Sequence, residues 1–176
     1  MRPDPLSLPG SRLLDFADPA EAGRWSAVND GVMGGLSSSE IVGTGSGSSL
    51  FAGRVSLENN GGFASARRTV AEGAFAGATH LHLTFLGDGK TYKLRLRSDP
   101  GFDGVNYEIA FATQADKWQA ATMELADFAP VWRGRPVPDA DPLYPERIQS
   151  VGFLISGGQE GPFRLELAAL SASTSP

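Results

Sequence analysis

Tyr92-Lys-Leu-Arg-Leu-Arg97 decides the fold. Tyr92, Leu94 and Leu96 alternate with Lys93, Arg95 and Arg97, and side chains two apart share a face of an extended chain. The hexapeptide therefore reads as a strand with one buried face and one wet face. The same period recurs downstream. Val105, Tyr107, Ile109 and Phe111 alternate with Asn106, Glu108 and small residues, and Phe163, Leu165 and Leu167 alternate with Arg164 and Glu166. Further strand-like runs cover 12–17, 24–28, 36–42, 48–58, 62–71, 79–86, 117–125 and 148–156. Asn-Asp-Gly at 29–31, Asn-Asn-Gly-Gly at 59–62, Gly-Asp-Gly at 87–89 and Asp-Pro-Gly at 99–101 separate them as turns. The glycine- and serine-rich stretch 43–49 reads as a hairpin connection. Only Pro19–Gly23 and 72–77 suit a helical turn. Ten or more short strands predict an all-β fold, a two-sheet antiparallel β-sandwich of jelly-roll type. The expected organisation is an N-terminal arm over 1–11, a single sandwich over 12–172 and a tail over 173–176.

Composition agrees and removes whole classes of chemistry. The chain has 176 residues and 22 Gly, against about 12 expected at an average usage of roughly 7%, which means many turns. The absence of Cys excludes disulfides, thiolate metal sites and a Cys nucleophile. Two His and a net charge of −5 leave little room for a catalytic triad and argue against nucleic acid as partner. No apolar run approaches the roughly 18 residues of a membrane span. The first residues lack the apolar core of a signal peptide, so the expected location is cytoplasmic, or peripheral at the inner membrane.

Few segments carry chemistry on their own. His80 and His82 share one strand face. They read as a polar face, or as two metal ligands lacking a third. Across the Gly87–Lys90 turn lies the Lys93/Arg95/Arg97 row. If the two rows share a sheet, that sheet presents a cationic, hydrogen-bonding surface. Gly87-Asp-Gly-Lys-Thr91 lacks the earlier glycine of a phosphate loop, Thr84 standing there, and reads as a hairpin turn. Asp99 to Asn106 gathers oxygen ligands without a calcium-loop spacing and reads as a plain turn. No nucleophile elbow or identifiable acid–base pair appears, so no enzyme, cofactor or metal site is expected. The most unusual segment, Trp25 to Ser39, sets Asp30 among Gly31, Gly34 and Gly35. Asp30 either caps the loop's own amides or meets a polar group of a partner.

Asn29-Asp-Gly-Val-Met-Gly-Gly-Leu-Ser37 resembles the signature opening of the complex I intermediate-associated protein 30 family. Phe51 to Ser65 with Arg67, Tyr92 to Arg97, Asn106-Tyr107, Trp118 and Asp127-Phe128 follow in the family's order. Arg133-Gly-Arg135, Ile148 to Gly152 and Gly161 to Glu166 complete a resemblance that covers roughly 12–170. It implies a galactose-binding-like jelly roll. It also implies a chaperone-like assembly factor for respiratory complex I, NADH:ubiquinone oxidoreductase, that binds rather than catalyses, here as a compact bacterial version. The expected partner is a complex I subunit or assembly intermediate, met through the Asp30–Ser37 loop with Val32 and Met33. The fold resemblance carries an alternative of another class, carbohydrate or small-molecule binding. Trp25, Trp118, Tyr107, Asp30, Asn60, Arg67 and Arg95 have the aromatic faces and planar hydrogen-bonding groups for it. Arg133 and Arg135, in a Pro-rich loop, either clamp an anion or tie the loop to backbone carbonyls.

Overall fold

The computed structural model describes residues 2–3, 10–99 and 104–176, and the side chains of Val32, Met33 and Asn60 lie outside what it describes. Thirteen strands build two antiparallel sheets among the described residues. They are β1 (Ser11–Asp15), β2 (Ser26–Ala27), β3 (Ser38–Gly43), β4 (Ser49–Val55), β5 (Ala64–Thr69), β6 (His80–Leu86) and β7 (Thr91–Arg97). Then come β8 (Asn106–Ala112), β9 (Trp118–Glu124), β10 (Ala129–Trp132), β11 (Arg135–Pro136), β12 (Ser150–Ile155) and β13 (Gly161–Ser173). The first sheet runs β3-β4-β13-β6-β9, with β1 also on β13, and the second runs β11-β10-β8-β7-β12-β5-β2.

The two inner faces hold the alternating apolar residues. Leu81, Leu83 and Phe85 of β6 and Leu165 and Leu167 of β13 face Leu94, Leu96, Val151, Phe153 and Ile155 from the second sheet, all at most 1% exposed. Aromatic rings fill one end, with Phe51–Phe163 and Phe85–Phe111 centroids each 5.0 Å apart. Tyr92 lies fully buried among them, and its hydroxyl donates to the Arg164 carbonyl at 3.1 Å and to Asp88 Oδ1 at 3.0 Å. Burial and the neighbouring Asp88 charge push its phenol far above the usual range, so it stays a neutral donor.

Two expectations need correction. The Gly87–Lys90 turn is no hairpin, because β6 and β7 belong to different sheets. Asp88 makes the crossing: Oδ1 accepts from the Lys90 amide at 3.1 Å, and Oδ2 accepts from the Arg164 amide of β13 at 2.9 Å. The His80/His82 row and the Lys93/Arg95/Arg97 row therefore belong to different sheets and share no face. Arg133 and Arg135, expected in a Pro-rich loop, lie in the hairpin β10–β11, turned by Arg133 (φ 47) and Gly134 (φ 76). Two positive φ values in a two-residue connection match the twist of the flanking strands. Short 3-10 turns also stand at 30–33, 58–60, 125–127 and 145–147. The Asp99–Asn106 loop includes residues 100–103, outside the described residues. Among the described residues no helix is long and apolar enough to cross a membrane.

Candidate functional site

Alternation that buries Leu94 and Leu96 turns Lys93, Arg95 and Arg97 outward, and on β5 it turns Ser65 and Arg67 outward beside the buried Ala64 and Ala66. Register then brings them together. Gly152 of β12 pairs with Arg67 on one side and Arg95 on the other, and Arg95 pairs with Glu108. Because Gly152 has no side chain, backbone forms the floor between the two arginines, with little room for a side chain in its place. A methyl group there would stand 3.2 Å from the Ala66 carbonyl and 3.3 Å from Arg67 Cβ. The resulting cleft, about 430 Å³, is walled by Arg67, Lys93, Arg95, Arg97, Asn106 and Arg133, over a floor that includes Ser65, Ser150 and Gly152.

Glu108, 10% exposed at its side chain, sits at the cleft's edge. It accepts from Lys93 Nζ at 3.0 Å and from Arg95 Nε at 2.7 Å, so one carboxylate fixes two cations. Burial, and then the like charge of Arg95, lower the pKa of Arg67 from its ordinary value. The hairpin brings Arg133 to the cleft, with its guanidinium 4.8 Å from the Trp132 ring centroid. Such an arrangement suits recognition of oxyanions, since a planar guanidinium meets a carboxylate with two parallel hydrogen bonds. Among the described residues the lining holds two aromatic residues, the half-exposed Phe63 and the buried Phe153.

The other sequence-derived candidates lie elsewhere. Trp25 packs on Phe16 and Phe153, with centroids 5.9 and 5.6 Å away, and its Nε1 donates to the buried Glu21 at 3.0 Å. Tyr107 is 8% exposed and donates its hydroxyl to the Asp141 carbonyl. Trp118 opens β9 at the edge of the first sheet, where the Arg2 guanidinium lies 4.9 Å from its ring centroid. Arg135 is exposed on β11 and does not line the cleft.

Asp30 is fully buried. Its carboxylate accepts from the Ser37 amide (2.9 Å) and hydroxyl (2.5 Å), the Gly62 amide (2.7 Å) and the Phe63 amide (3.3 Å). It therefore caps the loop's own amides. Beside it, Ser37 bonds Ser56, and the adjoining Leu36 and Leu57 are 57% and 43% exposed. Val32, Met33 and Asn60 have side chains outside the described residues.

His82 is 2% exposed, with Nδ1 3.0 Å from Thr122 Oγ1 and Nε2 2.7 Å from Ser173 Oγ. Among the described residues no three His, Cys, Asp or Glu come together in a group able to hold a metal ion. Sequence reasoning singled out Arg67, Arg95 and Arg133 but missed Gly152 and Asn106 as parts of one cleft. The glycine within the apolar run Val151–Ile155 was the available signal, since a glycine in a strand marks close approach or open space.

Residues 14–167 match the sequence model of the complex I intermediate-associated protein 30 family. The mouse mitochondrial complex I intermediate-associated protein 30 is 24% identical over 181 residues. That match takes in 92% of this chain and 55% of the mouse protein, so the chain spans about half the length of that curated relative. Among solved structures, the family 11 carbohydrate-binding module of Clostridium thermocellum, in complex with a β-1,3-1,4-mixed-linked tetrasaccharide, superposes with a TM-score of 0.69. It is 14% identical, and the match covers 97% of this chain and 100% of the module. An exo-β-agarase gives 0.58 at 11% identity, over 94% of this chain and 26% of the agarase. These likenesses establish the fold, the jelly-roll sandwich of carbohydrate-binding modules.

Proposed function

We propose that this chain, which belongs to the complex I intermediate-associated protein 30 family, is a non-catalytic binding module. It engages a protein partner, a complex I subunit or assembly intermediate, through the outer face of its second sheet. The observation that carries this reading is the lining of the cleft, which among the described residues sets Arg67, Lys93, Arg95, Arg97 and Arg133 beside one half-exposed ring, Phe63, where a sugar would stack. Glu108, beside the cleft, is held in two ion pairs, with Lys93 and Arg95. The Asp30–Ser37 loop contributes as a scaffold, with Asp30 holding it closed and the exposed Leu36 and Leu57 as apolar contacts. The module works at the cytoplasmic side of the inner membrane.

A second reading, carbohydrate binding, is favoured by the cleft's size, which lies within the range of about 300–1,000 Å³ usual for small-ligand sites. Affinity capture from native membranes separates the two. The chain should recover complex I subunits. Ser150→Trp, which places a ring in the cleft floor at a half-buried position, should lose them while keeping its melting temperature within a few degrees. No recovered subunits, together with a melting temperature raised by a mixed-linkage tetrasaccharide, would establish the second reading instead.

A further inference from the structure

We infer that this chain pairs with a second copy of itself along the open edge of β9, the two strands running antiparallel about a twofold axis at Ala121. This goes beyond the reading above and leaves the cleft free, because β9 belongs to the first sheet and the cleft to the second.

The edge itself is the first argument. An unpaired strand edge invites another strand, and folded proteins blunt it by shortness, proline, bulges, charge or cover. β2 and β11 are two residues each, and β11 carries Pro136. β1 is interrupted by a register shift between Arg12 and Leu14. β3 is tied to the second sheet, where the Ser39 hydroxyl donates to the Ser65 carbonyl at 3.0 Å. β9 has none of these devices. It ends the first sheet and runs seven residues without proline, lysine or arginine. Its register on β6 is unbroken, from Glu124 opposite His80 to Trp118 opposite Leu86.

Hydrogen-bond parity is the second. The Leu125 amide donates to the Thr79 carbonyl at 2.9 Å, and these two residues continue the β6–β9 register. Antiparallel ladders alternate hydrogen-bonded and non-hydrogen-bonded pairs, so Met123, Ala121 and Gln119 spend their amides and carbonyls on β6. Those of Trp118, Ala120, Thr122 and Glu124 point out from the edge, where no backbone group meets them among the described residues. The close approach of His82 Nδ1 to Thr122 Oγ1, 3.0 Å, fits a non-hydrogen-bonded pair. A twofold axis at Ala121 sets Ala120 against Thr122 of the second copy and Trp118 against its Glu124. Every outward amide and carbonyl of β9 then has a partner. A slip of one residue would set outward groups against spent ones.

Charge is the third. The Arg2 guanidinium stands over the Trp118 ring, 4.9 Å from its centroid, and donates to the Gly47 carbonyl at 2.6 Å. In the twofold register, Glu124 of the second copy lies opposite Trp118. Hydrogen-bonded opposite residues stand about 5.5 Å apart at Cα, so the carboxylate of this exposed glutamate reaches the guanidinium held above the ring. The axis repeats the contact, giving two opposite-charge pairs that favour this register. Between them lie only Ala120 and Thr122, small and exposed, which let the strands close.

Sedimentation velocity on the full chain, from about 1 to about 200 μM, should show a reversible shift from monomer to dimer. Ala120→Pro removes an outward amide that β6 does not use, and should abolish the dimer. Glu124→Gln should weaken it about fivefold, and should change nothing further in an Arg2→Gln background. The chain lacks Cys, so Ala121→Cys reports the register. At the axis the two Cα atoms stand about 4.5 Å apart, inside the disulfide range. Oxidation should give a covalent dimer, and Val42→Cys, exposed on β3, should not. A monomer at every concentration overturns the proposal, as does a dimer that Glu124→Gln and Ala120→Pro leave equally tight. Cross-linking no faster at position 121 than at 42 overturns it as well. Glu124→Gln changes an exposed side chain and Ala121→Cys adds one atom, so both keep the test valid if Ala120→Pro fails to fold.

Discussion

Asp30 shows what one buried carboxylate does for a loop. Burial alone would raise its pKa, but the Ser37 hydroxyl and the amides of Gly62, Ser37 and Phe63 outweigh that and hold it below the ordinary carboxylate value of 3.8. The neighbouring backbone is fitted to it so closely that a methyl at Gly35 would stand 2.4 Å from Asp30 Oδ1. Asp30→Ala should destabilise the domain by about 3 kcal/mol or more, since several amides lose their acceptor inside the protein; a thermal or urea melt reads this directly. The sign with pH follows from the lowered pKa. Stability contributed by Asp30 is complete above about pH 4 and is lost as the pH falls through the lower value of the folded state, so Asp30→Asn should flatten the acid limb of the stability curve. The sequence displayed Asp30 and its glycines together but left two roles open. Capping and partner contact need the same residue types, and only the direction of the amides separates them.

At the level of elements, strands were legible and their partners were not. Tyr92, Leu94 and Leu96 announce β7 through period two, a local property of the chain. Which sheet β7 joins depends on Asp88 reaching Arg164, 76 positions away, and on Tyr92 donating to both Asp88 and the Arg164 carbonyl. A Gly-Asp-Gly turn looks alike whether the chain folds back or crosses over. β6 illustrates the price of that crossing. Its His82 ends in a covered polar row with Thr84, 0% exposed, and Ser171, 2% exposed. Burial, and then the charge of His80, depress the pKa of His82 below 6.5. The fold therefore holds a neutral ring between Thr122 and Ser173, and the unfolded chain takes up a proton first as pH falls. The stability this contributes is full above about pH 6.5 and declines below it. The melting temperature should drop between pH 7.5 and pH 5 in the wild type, and by less in His82→Gln.

Across the whole molecule, the sandwich joins residues that the sequence keeps far apart. The cleft draws on positions 67, 93, 95, 97, 106, 133 and 152, from strands whose adjacency is set only when the second sheet closes. That is why its arginines were visible singly and the site was not. The first sheet depends in the same way on β13, thirteen residues long, which pairs β4 through Gly161–Leu167, β6 through Glu166–Ser173 and β1 through Ser11–Asp15. Deleting residues 168–176 removes the whole β1 pairing and most of the β6 pairing, and should leave a chain without a cooperative melt by circular dichroism. The same geometry constrains the order of events on the ribosome. The β3–β4 hairpin and the β6–β9 pair emerge early, each with an open edge whose only designated neighbour is translated after all the others. Until β13 arrives, those edges and the apolar faces of β4 and β6 wait in an aggregation-prone state. A slow final step that inserts one strand and closes two edges at once is the consequence for a fold dominated by distant pairings.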